Sequence, residues 1–168
     1  MNTTASAAAL GLHDFAFLTG QWRVRHRKLR RRLAGDTDWM QFTGSCQAWE
    51  ILGGAGNVDD NLLEDPGGAY RAATLRRCDP ATGTWSIWWC DARRPQLDPP
   101  VHGRFEDGIG TFLGQDTHEG TPVTVRFVWS EISAGHARWE QAFSTDGGAS
   151  WESNWVMEFE RQPGRITP

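Results

Sequence analysis

The chain has 168 residues, 39% of them hydrophobic, with 19 Gly, 8 Pro, 10 Trp and a formal net charge of -4. That length suits a single domain with a full core, and the acidic balance argues against a general nucleic-acid binder. No apolar run approaches the about 18 residues that a membrane-spanning helix needs.

Residues 1–12 read as a disordered tail. No positive charge precedes the Ala-rich stretch, a pattern unlike a signal peptide. Asp14 is placed to cap one helical turn carrying Phe15, Phe17 and Leu18. A first strand is expected over 21–32, with Trp22, Val24 and His26 on one face and Arg23, Arg25 and Arg27 on the other. Ala34 to Asp38 turns the chain into a second strand, 39–51. Gly53 to Gly56 is a flexible link to a short polar strand, 57–63. Asp65-Pro66-Gly67-Gly68 and Asp79-Pro80-Ala81-Thr82-Gly83 are turn signals bounding strands at 70–77 and 84–91. Residues 93–100 hold three prolines, Pro95, Pro99 and Pro100, and cannot form a central strand. Strands at 101–106 and 110–115 flank Asp107-Gly108, a hairpin signal. Strict alternation of Val123, Val125, Phe127 and Trp129 marks a strand at 122–132. The last two strands are 136–144 and 151–161, and 163–168 forms a second tail around one domain at 13–162.

About ten antiparallel strands, short links and no long amphipathic helix give an all-β fold, a single up-and-down β-barrel with a short N-terminal helical turn. Closure removes the exposed edges that an open sheet of this length would carry. The last hairpin sets a register. With Gln141 opposite Trp155, Trp139 faces Met157, Phe143 faces Ser153, and the outer face pairs Arg138 with Glu158. A one-residue slip would bury that charge pair and expose the aromatics. Gln141 is then an inward polar group, and Glu140 faces out.

The segment Gly20-Gln21-Trp22 after a helical turn resembles the GxW start of the lipocalin and calycin superfamily. The resemblance runs from about Phe15 to Arg161 and is nearest to uncharacterised bacterial calycin-like barrel proteins. It implies a lipocalin or fatty-acid-binding-protein-like barrel with a cavity, and a late basic residue packed on the motif tryptophan, for which Arg161 is the candidate. The chain departs from secreted lipocalins in lacking a disulfide pair.

Other motifs read as structural. Ser144-Thr-Asp-Gly-Gly-Ala-Ser-Trp151 fits the Asp-box pattern; one copy cannot build a propeller, so Asp146 is expected to brace a turn under Trp151. Seven basic residues between Arg23 and Arg32 read as a solvated strand face, with phosphate binding as the sharper alternative. Gly53 to Gly56 is not a P-loop. The run Asn57-Val58-Asp59-Asp60-Asn61 is a polar edge strand, a barrel mouth or a cation site, without EF-hand spacing.

Cys46, Cys78 and Cys90 make neither a disulfide framework nor a CxxC pair, and no histidine pair has metal-ligand spacing, so no metal is expected. Trp22, His26, Trp89, Trp129, Trp139, Gln141 and Trp155 are the candidate ligand-binding residues: apolar walls with His26 and Gln141 to orient a polar group. The expected partner is a small hydrophobic or aromatic molecule, not nucleic acid or membrane, with a homodimer as an option and the cytoplasm as the location. No cofactor is expected; haem ligation by an interior His26 is the one cofactor chemistry to weigh. Two alternatives stay open. One is an acid–base enzyme in the same cavity using His26, Asp59, Asp60 or Asp91. The other is an interaction or dimerisation protein whose barrel is filled by its own side chains.

Overall fold

The computed structural model describes residues 10–164. Ten strands follow a short 3-10 turn, Ala16–Leu18: β1 Gly20–Leu29, β2 Trp39–Ile51, β3 Gly56–Leu63, β4 Tyr70–Asp79, β5 Thr84–Asp91, β6 Val101–Glu106, β7 Ile109–His118, β8 Thr121–Ser130, β9 His136–Ser144 and β10 Glu152–Arg161. Each strand pairs antiparallel with its sequence neighbour, and β1 pairs with β10, so the sheet closes into an up-and-down barrel. Alternation has its expected effect. On β1, Trp22, Val24 and His26 are buried, while Arg23, Arg25 and Arg27 are exposed. No helix among the described residues is long and apolar enough to cross a membrane.

One end of the barrel is a floor. The 3-10 turn lies beneath it, with Phe15 and Leu18 almost fully buried. Trp22 donates its indole N–H to Leu18 O at 2.7 Å, and the Arg161 guanidinium lies 4.1 Å from the Trp22 ring. Arg161 also donates to Thr19 O at 2.6 Å and Phe17 O at 2.5 Å, so it clamps turn, first strand and last strand together. Gly20 is required at this point. Its φ is +121°, and a Cβ there would lie 2.7 Å from Arg161 Nη1. The turn is not capped by Asp14; that carboxylate instead accepts the Trp85 indole N–H at 3.2 Å, tying the turn to β5. Leu10, at the end of the expected tail, is anchored: its N–H donates to Pro80 O at 2.9 Å. Residues 1–9 and 165–168 of the expected tails lie outside the described residues.

The other end is the mouth, formed by the β1–β2, β3–β4, β5–β6, β7–β8 and β9–β10 connections. β1 reaches it sooner than alternation suggested. It stops at Leu29, after which Leu33 takes a φ of +56°. The Leu33 N–H donates to the Glu152 carboxylate at 2.9 and 3.1 Å. The last hairpin keeps Gln141 opposite Trp155, Trp139 opposite Met157 and Arg138 opposite Glu158. Nearer the turn the expected pairing fails. A bulge at Asn154 shifts the register, so Phe143 faces Glu152 and Ser153 faces Ala142. Asp107 and Gly108 take φ values of 49° and 78°, the double left-handed turn suited to a two-residue hairpin.

Candidate functional site

The upper half of the barrel holds a cavity of about 240 Å³. Trp89 of β5, Trp139 of β9 and Trp155 of β10 supply three of its walls, with Ile87, Phe127 and Phe143 completing the apolar surface. The rings lock one another edge to face. Trp139 and Trp155 have centroids 5.5 Å apart at 90°, Trp89 and Trp155 5.8 Å apart at 84°. Such contacts favour one packed arrangement of the walls over several.

Gln141 also lines this cavity. Its Nε2 donates to Asn154 Oδ1 at 2.8 Å. The bulge that displaced the register is what turns Asn154 into the interior, where it is fully buried. The glutamine amide is thereby oriented by a partner that alternation alone would have pointed outward.

His26 is buried but is not among the cavity-lining residues. It stacks on Phe42 with centroids 4.6 Å apart at 7°, and its Nδ1 accepts the Trp155 indole N–H at 3.2 Å. Burial, with a smaller contribution from Lys28, pulls its pKa down to about 4. The ring is therefore neutral at pH 7 with its proton on Nε2. It holds Trp155 in place, and with Nδ1 so engaged that nitrogen has no lone pair to offer a haem iron. Trp22 sits at the floor, away from the cavity. Trp129 lines a second, inner space of about 20 Å³ that shares Ile87, Trp89, Phe127 and Trp139 with the first.

That inner space meets the polar run of β3. Asn57, Asp59 and Asn61 all point into the barrel and are buried. β3 is flanked by β2 and β4, so it is not an edge. The cation that this run receives is a guanidinium: Arg76 Nη2 lies 2.6 Å from Asp59 Oδ2, both side chains nearly inaccessible, and Arg76 Nη1 donates to Asn57 Oδ1 at 2.7 Å. Asp59 Oδ1 accepts from Asn61 Nδ2 at 2.6 Å and from the Thr74 N–H at 2.9 Å. The guanidinium also lies over the Phe15 ring at 5.0 Å and near Trp129 at 5.7 Å. The hydrogen bonds around this buried ion pair offset much of its desolvation cost, while Arg76 Nε and Asn57 Nδ2 stay buried without a protein partner.

The mouth carries charge that sequence reading missed. Lys28 and Arg32 line the cavity from the β1 side, and Arg93, Arg94 and Asp98 line it from the β5–β6 loop. This loop folds back through a bridge between Cys90 and Leu97. Its charges are mutually satisfied. Arg93 Nη2 lies 2.6 Å from Asp91, Arg94 lies 2.7 Å from Asp98, and Arg93 also stacks 3.5 Å from the Tyr70 ring centroid. The Arg93 hydrogen bonds hold Asp91 below the usual carboxylate range. Lys28 and Arg32 differ: among the described residues neither makes an ion pair with a carboxylate. They rest on aromatic faces, Lys28 Nζ 4.6 Å from Trp155 and Arg32 5.5 Å from Phe143. Lys28 was legible, because it has the parity of Trp22, Val24 and His26. Arg32 was not, because the strand ends before it.

None of the carboxylates considered for acid–base chemistry is free. Asp59 is held by Arg76, Asp91 by Arg93, and Asp60 by Arg71 at 2.5 Å on the outer surface.

No family model matches the chain, and no curated protein matches it in sequence. Solved structures do match in shape. A redesigned β-barrel superposes with a TM-score of 0.51 at 10% identity, covering 92% of this chain and 100% of its own. An S-type phycobiliprotein lyase, CPES, from Guillardia theta superposes with a TM-score of 0.57 at 8% identity, over 90% of this chain and 92% of its own. At such identities the likeness is one of fold alone, a closed antiparallel β-barrel.

Proposed function

We propose that this barrel binds one small, largely apolar or aromatic molecule in its upper cavity. The observation that carries the reading is the cavity itself: about 240 Å³ walled by Trp89, Trp139 and Trp155, with the oriented amide of Gln141 among them. Ligand pockets are mostly apolar with a few placed polar groups and run from about 300 to 1,000 Å³. This one, at about 240 Å³, lies just below that range and suits a molecule of one or two rings. A barrel of the same shape bears the name of a phycobiliprotein lyase, so the scaffold is compatible with a working interior; the ligand class is argued from the side chains alone. Within the proposal Trp89, Trp139, Trp155 and Gln141 touch the ligand, His26 fixes Trp155, and Trp22 closes the floor.

Binding is expected to quench tryptophan fluorescence. Gln141→Leu removes the polar contact and leaves the walls, so a ligand with a hydroxyl or amide group should bind about 5- to 150-fold more weakly, the equivalent of roughly 1–3 kcal/mol. Naphthalene, which makes no hydrogen bond, should bind the variant as well as the parent. Equal losses for both probes would show that Gln141 only shapes the wall. No quenching by any aromatic probe would remove the binding reading.

The dimer alternative rests on a different surface. Trp49, Val58, Leu75 and Trp88 lie opposite one another on four adjacent strands. Trp49 and Leu75 are each 43% exposed, an apolar row on the outer wall of the barrel. Such a row is compatible with self-association alongside a ligand in the cavity.

A further inference from the structure

The cavity is lined by four cations, Lys28, Arg32, Arg93 and Arg94, and by three carboxylates, Asp91, Asp98 and Asp116, so its walls carry one positive charge in excess. Around its rim the loop arginines already have carboxylates, Arg93 with Asp91 and Arg94 with Asp98. Lys28, the single lysine of the chain, and Arg32 are half-buried, line the same cavity and have aromatic neighbours in place of carboxylates. Burial, with Arg32 beside it, pulls Lys28 down to about 8, and burial lowers Arg32 too. Two like charges held close together and partly out of water raise the free energy of the empty barrel. An anion entering between them would relieve both costs at once.

The two cations sit at one end of the aromatic box. Lys28 Nζ and Arg32 lie 4.6 Å and 5.7 Å from the ring of Trp155, which is itself a cavity wall. A group bound by the cations is therefore next to whatever lies against the tryptophans. The polar Gln141 is on the same strand as Phe143, the other ring beneath Arg32. The arrangement is an apolar slot with a cationic rim.

We propose that the occupant is a small aromatic acid, its ring held by Trp89, Trp139 and Trp155 and its carboxylate held at the mouth by Lys28 and Arg32. This rests on the binding reading above and narrows it to one ligand class. The basic segment of β1 then has two roles. Arg23, Arg25 and Arg27 form a solvated outer face, while Lys28 and Arg32 face the ligand.

The test compares two compounds with one ring system and one charge of difference, 1-naphthaleneacetate and 1-naphthaleneacetamide, by titration calorimetry at pH 7. The parent protein is expected to bind the acetate at least about tenfold more tightly than the amide. Lys28→Met and Arg32→Met keep an unbranched apolar stem and remove one charge each. Each should cut the ratio of acetate to amide affinity by about five- to tenfold, the ratio cancelling any change in the walls that both compounds share. Inorganic phosphate at matched ionic strength should not displace the acetate, because the ring is needed. Amide binding as tight as acetate binding, or a preference that survives both substitutions, would overturn the acid proposal and leave the binding reading standing. Displacement by phosphate would overturn it in favour of a bare anion site. Failure of both compounds to bind would overturn the proposal and the binding reading together.

Discussion

His26 shows how one buried side chain can matter without touching a ligand. Its Nδ1 accepts from Trp155, its ring stacks on Phe42, and burial holds its pKa near 4 against an ordinary value of 6.5. The sign of the consequence follows from linkage. Between pH 6.5 and 4 the unfolded chain takes up a proton at this residue and the folded one does not, so stability falls as the solution is acidified. The full loss attributable to His26 is on the order of 3 kcal/mol, reached as the pH approaches 4. His26→Gln retains an acceptor for Trp155 and cannot titrate. Urea midpoints at pH 7 and pH 4.5 should fall apart in the parent by more than in this variant. Identical pH slopes would show that His26 does not stay neutral in the fold. Asp59 and Arg76 teach the complementary lesson at the same scale: charge is kept inside the barrel only where each has the other and further hydrogen bonds besides.

At the scale of elements, the β9–β10 hairpin is where the sequence reading was tested most closely. Cross-strand charge and aromatic pairing were enough to place Gln141 opposite Trp155 and Arg138 opposite Glu158. They were not enough to place Phe143. A bulge is a local backbone choice that the alternation of residues does not encode, and here Asn154 takes it up because its amide has Gln141 to bond inside. The same limit applies at β1. Parity carried past His26 would have put Lys28 in the cavity, whereas Arg32 follows the end of the strand, where parity no longer holds. The β5–β6 loop was readable as a break, from its prolines, but not as a charged rim, since it is the fold-back at the Cys90–Leu97 bridge that brings Arg93, Arg94 and Asp98 to the mouth. The Asp box turn joining β9 and β10 behaves as a local brace. Asp146 accepts from Ser144 Oγ at 2.7 Å and from the Ser150 N–H at 2.9 Å, and the bonds from Ser150 and Ser144 hold it down at about 2. Asp146→Ala should lower the melting temperature while leaving affinity for an aromatic probe within about twofold, since the substitution frees turn donors without altering a wall. Loss of binding with an unchanged melting curve would make the turn part of the site.

The whole molecule divides along its axis. The floor is sealed by the 3-10 turn, Trp22 and Arg161, and above it lies the Asp59–Arg76 layer. Above that layer, Trp89, Trp139 and Trp155 pack edge to face along the wall and leave about 240 Å³ beside them. Ten tryptophans could have filled the barrel completely, and composition could not distinguish a filled interior from an open one. Where the rings sit decides it: several are spent on the floor and the outer wall, so the upper half stays open. The indole N–H signals of the tryptophans report on this division directly, because each ring contributes its own resonance. Titrating the protein with 1-naphthaleneacetamide while recording two-dimensional ¹H–¹⁵N spectra should shift the indole signals of Trp89, Trp139 and Trp155 in a saturable way. Those of Trp22 at the floor and Trp49 on the outer wall should stay in place. Saturable shifts confined to Trp49 and Trp88, or no saturable shift at all, would contradict a ligand site inside the barrel.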